Sequence, residues 1–387
     1  MDKRRLCTRR QLLKTAGLVL GASALASLER WLGAPIAVAQ DPAPAHACYF
    51  PMISVAPPPA SVVHVHNLGA TTWNGQADYW NQVNQNVVNP MVDAGLQNLT
   101  ATPTIQDAWR KILPNYVAGQ GIAIKVNFNN SGNGRLDAII QTVNALVRGM
   151  KTIGVREQDI WVYDAIKVLP DRFIKGCLYP GVLFYDDGTH RVACFTSNAP
   201  NAYIRFSPPS GVPTPAATKL NDVLIRATYL IDIPILKGHL GGAEVTLGFK
   251  NHFGSTNNPA AFHNNAFPSQ EYWTTSWNPL VDLFANPHIR NKTVLVVGDG
   301  LFAGNYWSSA PLLLATFGNK TPNSLFFATD PVAIDSVMHD FVAAEWTIKS
   351  GANNYLRLAN LAGFGVFERG NPWGSGYTRI NYRKVEL

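Results

Sequence analysis

Residues 236–254, LKGHLGGAEVTLGFKNHFG, bring two lysines, two histidines, a glutamate and an asparagine into one glycine-rich segment of a chain that is otherwise poor in charge. Lysines neutralise anions, histidine titrates near neutrality and binds metals, and a desolvated lysine beside another cation has its pKa lowered into a useful range. A helix that starts after a glycine turn also offers free amide groups to an anion. We therefore predict a site for an anionic or metal-chelated ligand, with catalytic roles for Lys237, His239 and Lys250.

The elements that position this site are predicted to be a strand end, a glycine turn and a helix that starts near Ala243. At about 100° per residue, one face of that helix should be buried in the core. This face carries Val245, Phe249 and Phe253. Thr246 and Lys250 lie beside it. The alternative is the solvated polar face of an ordinary amphipathic helix.

Apolar strand-like runs alternate with helical patterns along most of the chain, which is typical of an α/β fold. Because the strands are mostly continuous apolar runs, the sheet should be mostly parallel and flanked by helices on both faces. The predicted strands are 61–66, 121–128, 159–163, one within 223–236, 293–297 and 324–328, and the predicted helices are 105–117, 136–153 and 331–346. Two insertions are predicted at about 179–218 and 255–290. The first holds an antiparallel hairpin at 182–192 with Asp-Gly at its turn, and the second is a long irregular lid.

Polar side chains follow the ends of four predicted strands. Lys125 lies near the end of one strand and Asp164 follows the next. Lys237 and His239 follow a third strand, and Asp299 follows the fourth. In an open parallel sheet, ligands bind beyond the carboxyl ends of the strands. One aspartate at a strand end is usually a turn or cap residue, but four such ends together predict a shared crevice.

The run YLIDIPILKGHLGGAEVTLGFKNHFG resembles the signature of the DUF362 family, of the type I-N-x-P-x-x-K-x-H followed by T-x-x-x-K-N-x-x-G. Further pieces match the family in order: GIAIKVNFN, VYDA, AAFHNN, TVLVVGDGLFAG, ATDPVAIDSV and LANLAGFGV. The similarity covers most of residues 60–367. Ser255 stands where many members have Cys, and the ferredoxin-like cysteine cluster of some members is missing. No iron–sulfur cluster is therefore expected.

The resemblance implies further site residues. Positions that match the family motifs and would bind the ligand are Lys125, Asn127, Thr246, Asn251 and His263. Positions that would hold a divalent metal or orient a histidine are Asp164, His239, Asp299 and Asp335. Asp330 also matches, but an aspartate directly before Pro331 is better explained as a helix N-cap with proline at the first helical position.

Residues 1–39 combine a basic region, an apolar run and a small-x-small sequence before the predicted cleavage between Ala39 and Gln40. The motif TRRQLLK resembles a twin-arginine (Tat) signal, so we expect a periplasmic or otherwise exported protein that meets the twin-arginine export machinery. A general secretory signal and an uncleaved anchor are the alternatives. Residues 40–60 are a predicted Pro/Ala-rich linker, and 61–387 a single α/β domain.

The net charge of +7 falls mostly in the predicted signal, which carries five of these charges. A nearly neutral mature chain gives no reason to expect a nucleic-acid partner. No later segment offers about twenty continuous apolar residues, so no membrane span is expected after signal cleavage.

Three cysteines follow the predicted signal, Cys48, Cys177 and Cys194, and none forms a C-x-x-C motif. A zinc ribbon is therefore not expected. An oxidising compartment would let Cys177 and Cys194 pair. The alternative is two buried thiols.

Two classes of function fit these patterns. The first is an exported enzyme that uses Lys/His acid–base or metal chemistry on an anionic or metal-chelated ligand. The alternative is a non-catalytic periplasmic ligand-binding or cofactor-maturation accessory protein. The chain has no G-x-S-x-G motif, no Walker loop and no G-x-G-x-x-G after a predicted strand, which disfavours serine hydrolases, P-loop NTPases and dinucleotide enzymes.

Overall fold

Within the described residues, ten strands form one mixed sheet. The computed structural model describes residues 60–76, 78–128, 134–189, 191–195, 199, 201–239, 244–262, 276–346 and 351–387. These belong to one compact unit, Pro58–Leu387. The strands are β1 (Ala60–His66), β2 (Ile122–Lys125), β3 (Ile160–Tyr163), β4 (Leu183–Asp186), β5 (Val192–Ala193), β6 (Tyr229–Asp232), β7 (Ile235–Lys237), β8 (Thr293–Gly304), β9 (Ser324–Ala328) and β10 (Ile380–Glu386).

The strand order is β10-β1-β9-β8-β6-β2-β3-β4-β5, and β7 pairs with β8. Strand β9 runs antiparallel to both of its neighbours, β1 and β8. The other pairs are parallel. The prediction of an α/β fold with a mostly parallel sheet is confirmed.

Helices flank the sheet. They are α1 (Gln85–Thr100), α2 (Ile105–Ile112), α3 (Ile140–Lys151), α4 (Asp171–Lys175), α5 (Asp222–Arg226), α6 (Gly248–Asn251), α7 (Pro279–Ala285), α8 (Pro287–Arg290), α9 (Pro331–Glu345) and α10 (Gly351–Leu361). Side chains alternate between the two faces of a strand. Ile122 and Ile124 of β2 therefore enter one apolar cluster, and Ala123 enters the other. The sheet is thus buried on both faces.

The parallel register brings three strand ends to one edge. Lys125 of β2 lies opposite Tyr163 of β3 on one side and opposite Asp232 of β6 on the other. Side chains on or just beyond these ends therefore become neighbours, as the strand-end argument predicts.

The hairpin predicted at 182–192 is wrong, because β4 and β5 pair in parallel. The Asp186 carboxylate explains the compact connection between them. Its Oδ1 accepts hydrogen bonds from the amides of Gly188 (2.9 Å) and Arg191 (3.1 Å). The chain is thereby turned back to the start of the next strand.

The helix predicted to start near residue 243 begins instead at Gly248. Before it, the chain returns antiparallel to β7: Gly238 bridges Val245, and the amide of Thr246 donates to the carbonyl of Lys237 at 2.8 Å. The expected apolar face is nevertheless buried, at Val245, Phe249 and Phe253.

The predicted lid is partly helical. Residues 276–290 contain α7 and α8, and α7 buries Leu280 and Leu283 in the core. Residues 263–275 lie outside the described residues, and so does His263. The predicted cleavage site at Ala39 and Gln40 lies outside them too.

Both described cysteines, Cys177 and Cys194, are free thiols. The disulfide that an oxidising compartment would allow is therefore not present. Cys177 donates a hydrogen bond to the carbonyl of Tyr179 at 3.4 Å. Burial raises the pKa of both thiols. Among the described helices, none has the length and apolar character needed to cross a membrane.

Candidate functional site

A cavity of about 170 Å³ opens at the carboxyl ends of β2 and β3. Its walls come from the residues after these strands, from the loop after β7 and from the segment around α6. The lining residues are Asn127, Phe128, Asp164, Ile166, Lys167, His239, Thr246, Lys250, Asn251, Phe253, Gly254 and Pro259. Six of them are residues that the sequence analysis selects: Asn127, Asp164, His239, Thr246, Lys250 and Asn251.

A buried ion pair forms one part of this site. Lys125 Nζ donates to Asp164 Oδ2 at 3.1 Å, to Asn251 Oδ1 at 3.2 Å and to the carbonyl of Val126. Asp164 also accepts the amide of Phe128 at 3.1 Å. Burial raises the pKa of Asp164, whereas the neighbouring ammonium of Lys125 lowers it. Every donor position of Lys125 thus has an acceptor within the protein.

Asn251 joins the ion pair to a second carboxylate. Its Oδ1 accepts from Lys125 and from Asn127 Nδ2 (3.1 Å), and its Nδ2 donates to Asp232 Oδ1 at 2.6 Å. These contacts fix the orientation of the amide, because only its carbonyl oxygen can face the lysine. Burial raises the pKa of Asp232 well above its ordinary value.

Asp232 is not among the residues selected from the sequence. The available signal was a carboxylate inside the apolar run YLIDIPIL, where only a strand end could expose it. A single strand predicted over this run places no strand end at Asp232. The structure divides the run into β6 and β7, and Asp232 is the last residue of β6.

Lys237 is also buried and held by neutral acceptors. Its Nζ donates to the carbonyl of Leu136 at 3.0 Å and to Asn127 Oδ1 at 3.3 Å. Burial lowers its pKa to about 8. Lys237 does not line the cavity, although the Asn127 side chain that it contacts does.

Lys250 differs from the other two lysines. It lines the cavity, is only 6 % exposed, and donates no hydrogen bond to any described residue. Its Nζ lies 5.5 Å from the centre of the Phe253 ring. Burial lowers its pKa well below the ordinary value of 10.5, and the charge of Lys237 lowers it further.

Thr246 lines the cavity and carries an unsatisfied polar atom just behind the cavity surface. Its hydroxyl is buried and has no hydrogen-bond partner among the described residues. A buried polar group without a partner is unfavourable. The Thr246 hydroxyl therefore keeps its capacity to hydrogen-bond to a further group.

Two predicted metal ligands lie elsewhere. Asp299 is inside β8 rather than at a strand end, and accepts from Thr142 Oγ1 (2.9 Å). Asp335 accepts the amides of Gly248 (2.7 Å) and Phe249 (3.1 Å) and so caps α6. Burial raises the pKa of Asp299 to about 6 and that of Asp335 to about 7. Neither carboxylate lines the cavity.

The metal assignment stays a prediction for Asp164 and His239, which both line the cavity. Across the part of the chain that the structure describes, no group of three or more His, Cys, Asp or Glu side chains is arranged to hold a metal ion.

The capping role expected for Asp330 is confirmed, since its Oδ1 accepts the amides of Val332 and Ala333 at 2.9 Å.

Gly254 is placed so that only a hydrogen fits. A methyl group there would lie 2.6 Å from Lys125 Nζ and 2.8 Å from Asp164 Oδ1, inside the ion pair.

We predict that Gly254→Ala lowers the free energy of unfolding by about 1–3 kcal/mol, as other overpacked substitutions do. Urea denaturation would measure this. Gly69→Ala is the control, because that exposed glycine faces mainly the movable Asn67 side chain. An equal effect of both changes would contradict the assignment.

The fold and the cavity together define an α/β protein with a small lysine-containing site at the carboxyl edge of its sheet. Residues 122–340 match the family described as "Domain of unknown function (DUF362)". The chain belongs to this family. The matched region runs from β2 into α9 and contains every described residue that lines the cavity. A search of curated proteins finds no match to the chain.

Proposed function

We propose that the cavity binds a small organic anion and that Lys250 acts on this ligand as an acid–base group. The observation that carries the proposal is that Lys250 lines the cavity and that its amine donates no hydrogen bond to any described residue. Lys125 and Lys237 have acceptors within the protein, so they support the site rather than meet the ligand.

Size and charge support this ligand class. About 170 Å³ is well below the roughly 300–1,000 Å³ of pockets for drug-sized molecules, so the ligand is small. Lys237 and Lys250 have no carboxylate within ion-pair distance among the described residues. Lys237, which has no such carboxylate, and Lys167, which lines the cavity, make the potential there positive, which favours an anion.

The lowered pKa of Lys250 supports the acid–base role. A larger fraction of this amine is uncharged at neutral pH than of an ordinary lysine, so it can accept a proton from the ligand. His239 lines the same cavity and is the second candidate for proton transfer.

Calorimetric titration with propionate and with inorganic phosphate tests the proposal. We expect one of these anions to bind, and Lys250→Met to weaken that binding by about tenfold or more, since a hydrogen bond to a charged group is lost. Lys320→Met is the control, because Lys320 is exposed and does not line the cavity. Unchanged affinity in the Lys250 variant would contradict the proposal. A tightly bound ligand that is recovered unchanged would instead favour the non-catalytic receptor.

We also propose export by the twin-arginine route, on the strength of TRRQLLK at residues 8–14. We predict that Arg9→Lys combined with Arg10→Lys leaves the protein inside a bacterial host, because the paired arginines are the recognised feature. The control is Arg4→Lys with Arg5→Lys, which changes the other arginine pair of this region. Cell fractionation and the mass of the exported protein would measure both export and cleavage before Gln40. Export that persists in the first variant would contradict this route.

A further inference from the structure

We infer that the ligand class is a small 2-oxo acid and that the amine of Lys250 captures its carbonyl carbon as an imine. This inference rests on the proposed function, because it assigns a substrate class to the same cavity. It assigns Lys250 the role of a nucleophile in addition to its contact with the ligand.

The amine of Lys250 has no hydrogen-bond acceptor among the described residues, which leaves it available to a ligand. A lysine attacks a carbonyl group through its nitrogen lone pair, so it must be uncharged. The Asp164 carboxylate pairs with Lys125 and not with Lys250. No described carboxylate therefore holds Lys250 in its charged form, and Lys237 is a positive neighbour that disfavours it.

A hydroxyl group belongs to the same cavity wall. Thr246 lines the cavity, and its buried Oγ1 has no partner among the described residues. A hydroxyl can donate to a carbonyl oxygen and can also pass a proton on. Imine formation uses both actions, whereas the binding of a simple anion uses only the donated hydrogen bond.

The rest of the wall carries positive charge. Lys167 lines the cavity, and Lys237 donates a hydrogen bond to the lining residue Asn127. The one carboxylate among the described lining residues, Asp164, is neutralised by its ion pair with Lys125. These positive groups favour a carboxylate on the ligand. A molecule that carries both a carboxylate and an adjacent carbonyl matches the whole arrangement, and a volume of about 170 Å³ restricts it to a small one.

The reaction balances without an oxidant. The amine adds to the carbonyl carbon, a C–N bond forms, and the carbonyl oxygen takes a proton to give a carbinolamine. Thr246 then donates its proton to the departing hydroxyl group and regains one from nitrogen. Water leaves and the C=N bond forms, so that the amine has lost two hydrogens and the ligand its oxygen.

Borohydride trapping of the wild-type protein tests the inference. The protein is incubated with pyruvate, reduced with sodium borohydride and mapped by peptide mass spectrometry. We expect labelling of Lys250 to exceed that of exposed Lys320 by at least about tenfold, because binding raises the effective concentration of the carbonyl group. Thr246→Val should slow the labelling of Lys250 while leaving the labelling of Lys320 unchanged.

Propionate separates the two possible failures. If propionate binds in a Lys250-dependent manner but pyruvate labels Lys250 no faster than Lys320, the imine is excluded and the proposed anion site stands. If propionate and phosphate also fail to bind, both the inference and the proposed function are overturned. Glyoxylate, a smaller 2-oxo acid, repeats the test in case pyruvate is too large. Equal labelling of Lys250 and Lys320 with both compounds overturns the inference.

Discussion

Replacing Lys125 with methionine should lower the free energy of unfolding by about 3–5 kcal/mol, the usual effect of removing one partner of a buried ion pair. The variant leaves the Asp164 carboxylate buried without its cation, and it removes a donor from Asn251 Oδ1. Chemical denaturation monitored by tryptophan fluorescence would measure the change. This is the largest loss of stability that we expect from any single substitution at the site.

The double variant Lys125→Met with Asp164→Leu provides the control. A buried ion pair replaced by apolar side chains of similar size is often neutral in stability, so the double variant should recover part of the loss. The recovery is incomplete because the Phe128 amide loses its acceptor. Equal losses in the single and double variants would show that the two side chains do not stabilise one another. A loss below about 1 kcal/mol for Lys125→Met would place the pair among exposed ion pairs and contradict its burial.

Lys250→Met should have the opposite effect on the protein without ligand. The variant removes a buried amine that has no hydrogen-bond acceptor among the described residues, so we expect the free energy of unfolding to rise by about 0.5–2 kcal/mol. The same change should weaken ligand binding by about tenfold or more. Such a gain in stability with a loss of function is typical of functional sites.

The gain should depend on pH in a defined direction. Burial lowers the pKa of Lys250 in the folded protein, while the unfolded chain keeps the ordinary value of 10.5. Between these two values the unfolded chain binds a proton that the folded protein does not, so the native protein gains stability as pH rises. The advantage of Lys250→Met should therefore shrink between pH 7 and pH 10. Thermal melts of both proteins would measure it, with Lys320→Met as the exposed control. A variant less stable than the native protein at pH 7 would show that Lys250 has a structural partner.

Local patterns were sufficient for many elements. The strand predicted at 324–328 is β9 with the same bounds, and the helix predicted from Pro331 begins there because Asp330 caps it. Lys125 and Asp164 could be placed together from the sequence, because parallel strands end at one edge of the sheet. These features depend on residues close in sequence or on a general rule of sheet geometry.

Features that depend on distant residues could not be predicted. The start of α6 at Gly248 depends on Asp335, which is 87 residues away and accepts the first amides of the helix. Asp299 follows a predicted strand end, but pairing with Leu325 of β9 carries the strand past it, and Thr142 of α3 donates to its carboxylate. No local pattern contains either partner.

The three lysines show the same limit at the level of function. Lys125, Lys237 and Lys250 match the family motif equally well, and the sequence analysis assigns all three to the site. Their partners separate them: a carboxylate for the first, neutral oxygens for the second, and no acceptor among the described residues for the third. Of these three lysines, only Lys250 has an amine that remains available to a ligand.

Carbamylation by cyanate tests this separation most directly. Cyanate is a three-atom reagent that reacts with uncharged amines, so it reports both access to the cavity and the protonation of each lysine. The wild-type protein would be treated at pH 7 and the modified lysines followed in time by peptide mass spectrometry. We predict that Lys250 is modified faster than exposed Lys320, while Lys125 stays unmodified in its ion pair. Modification of Lys250 no faster than that of Lys320 would contradict an available amine in the cavity, and with it the central claim.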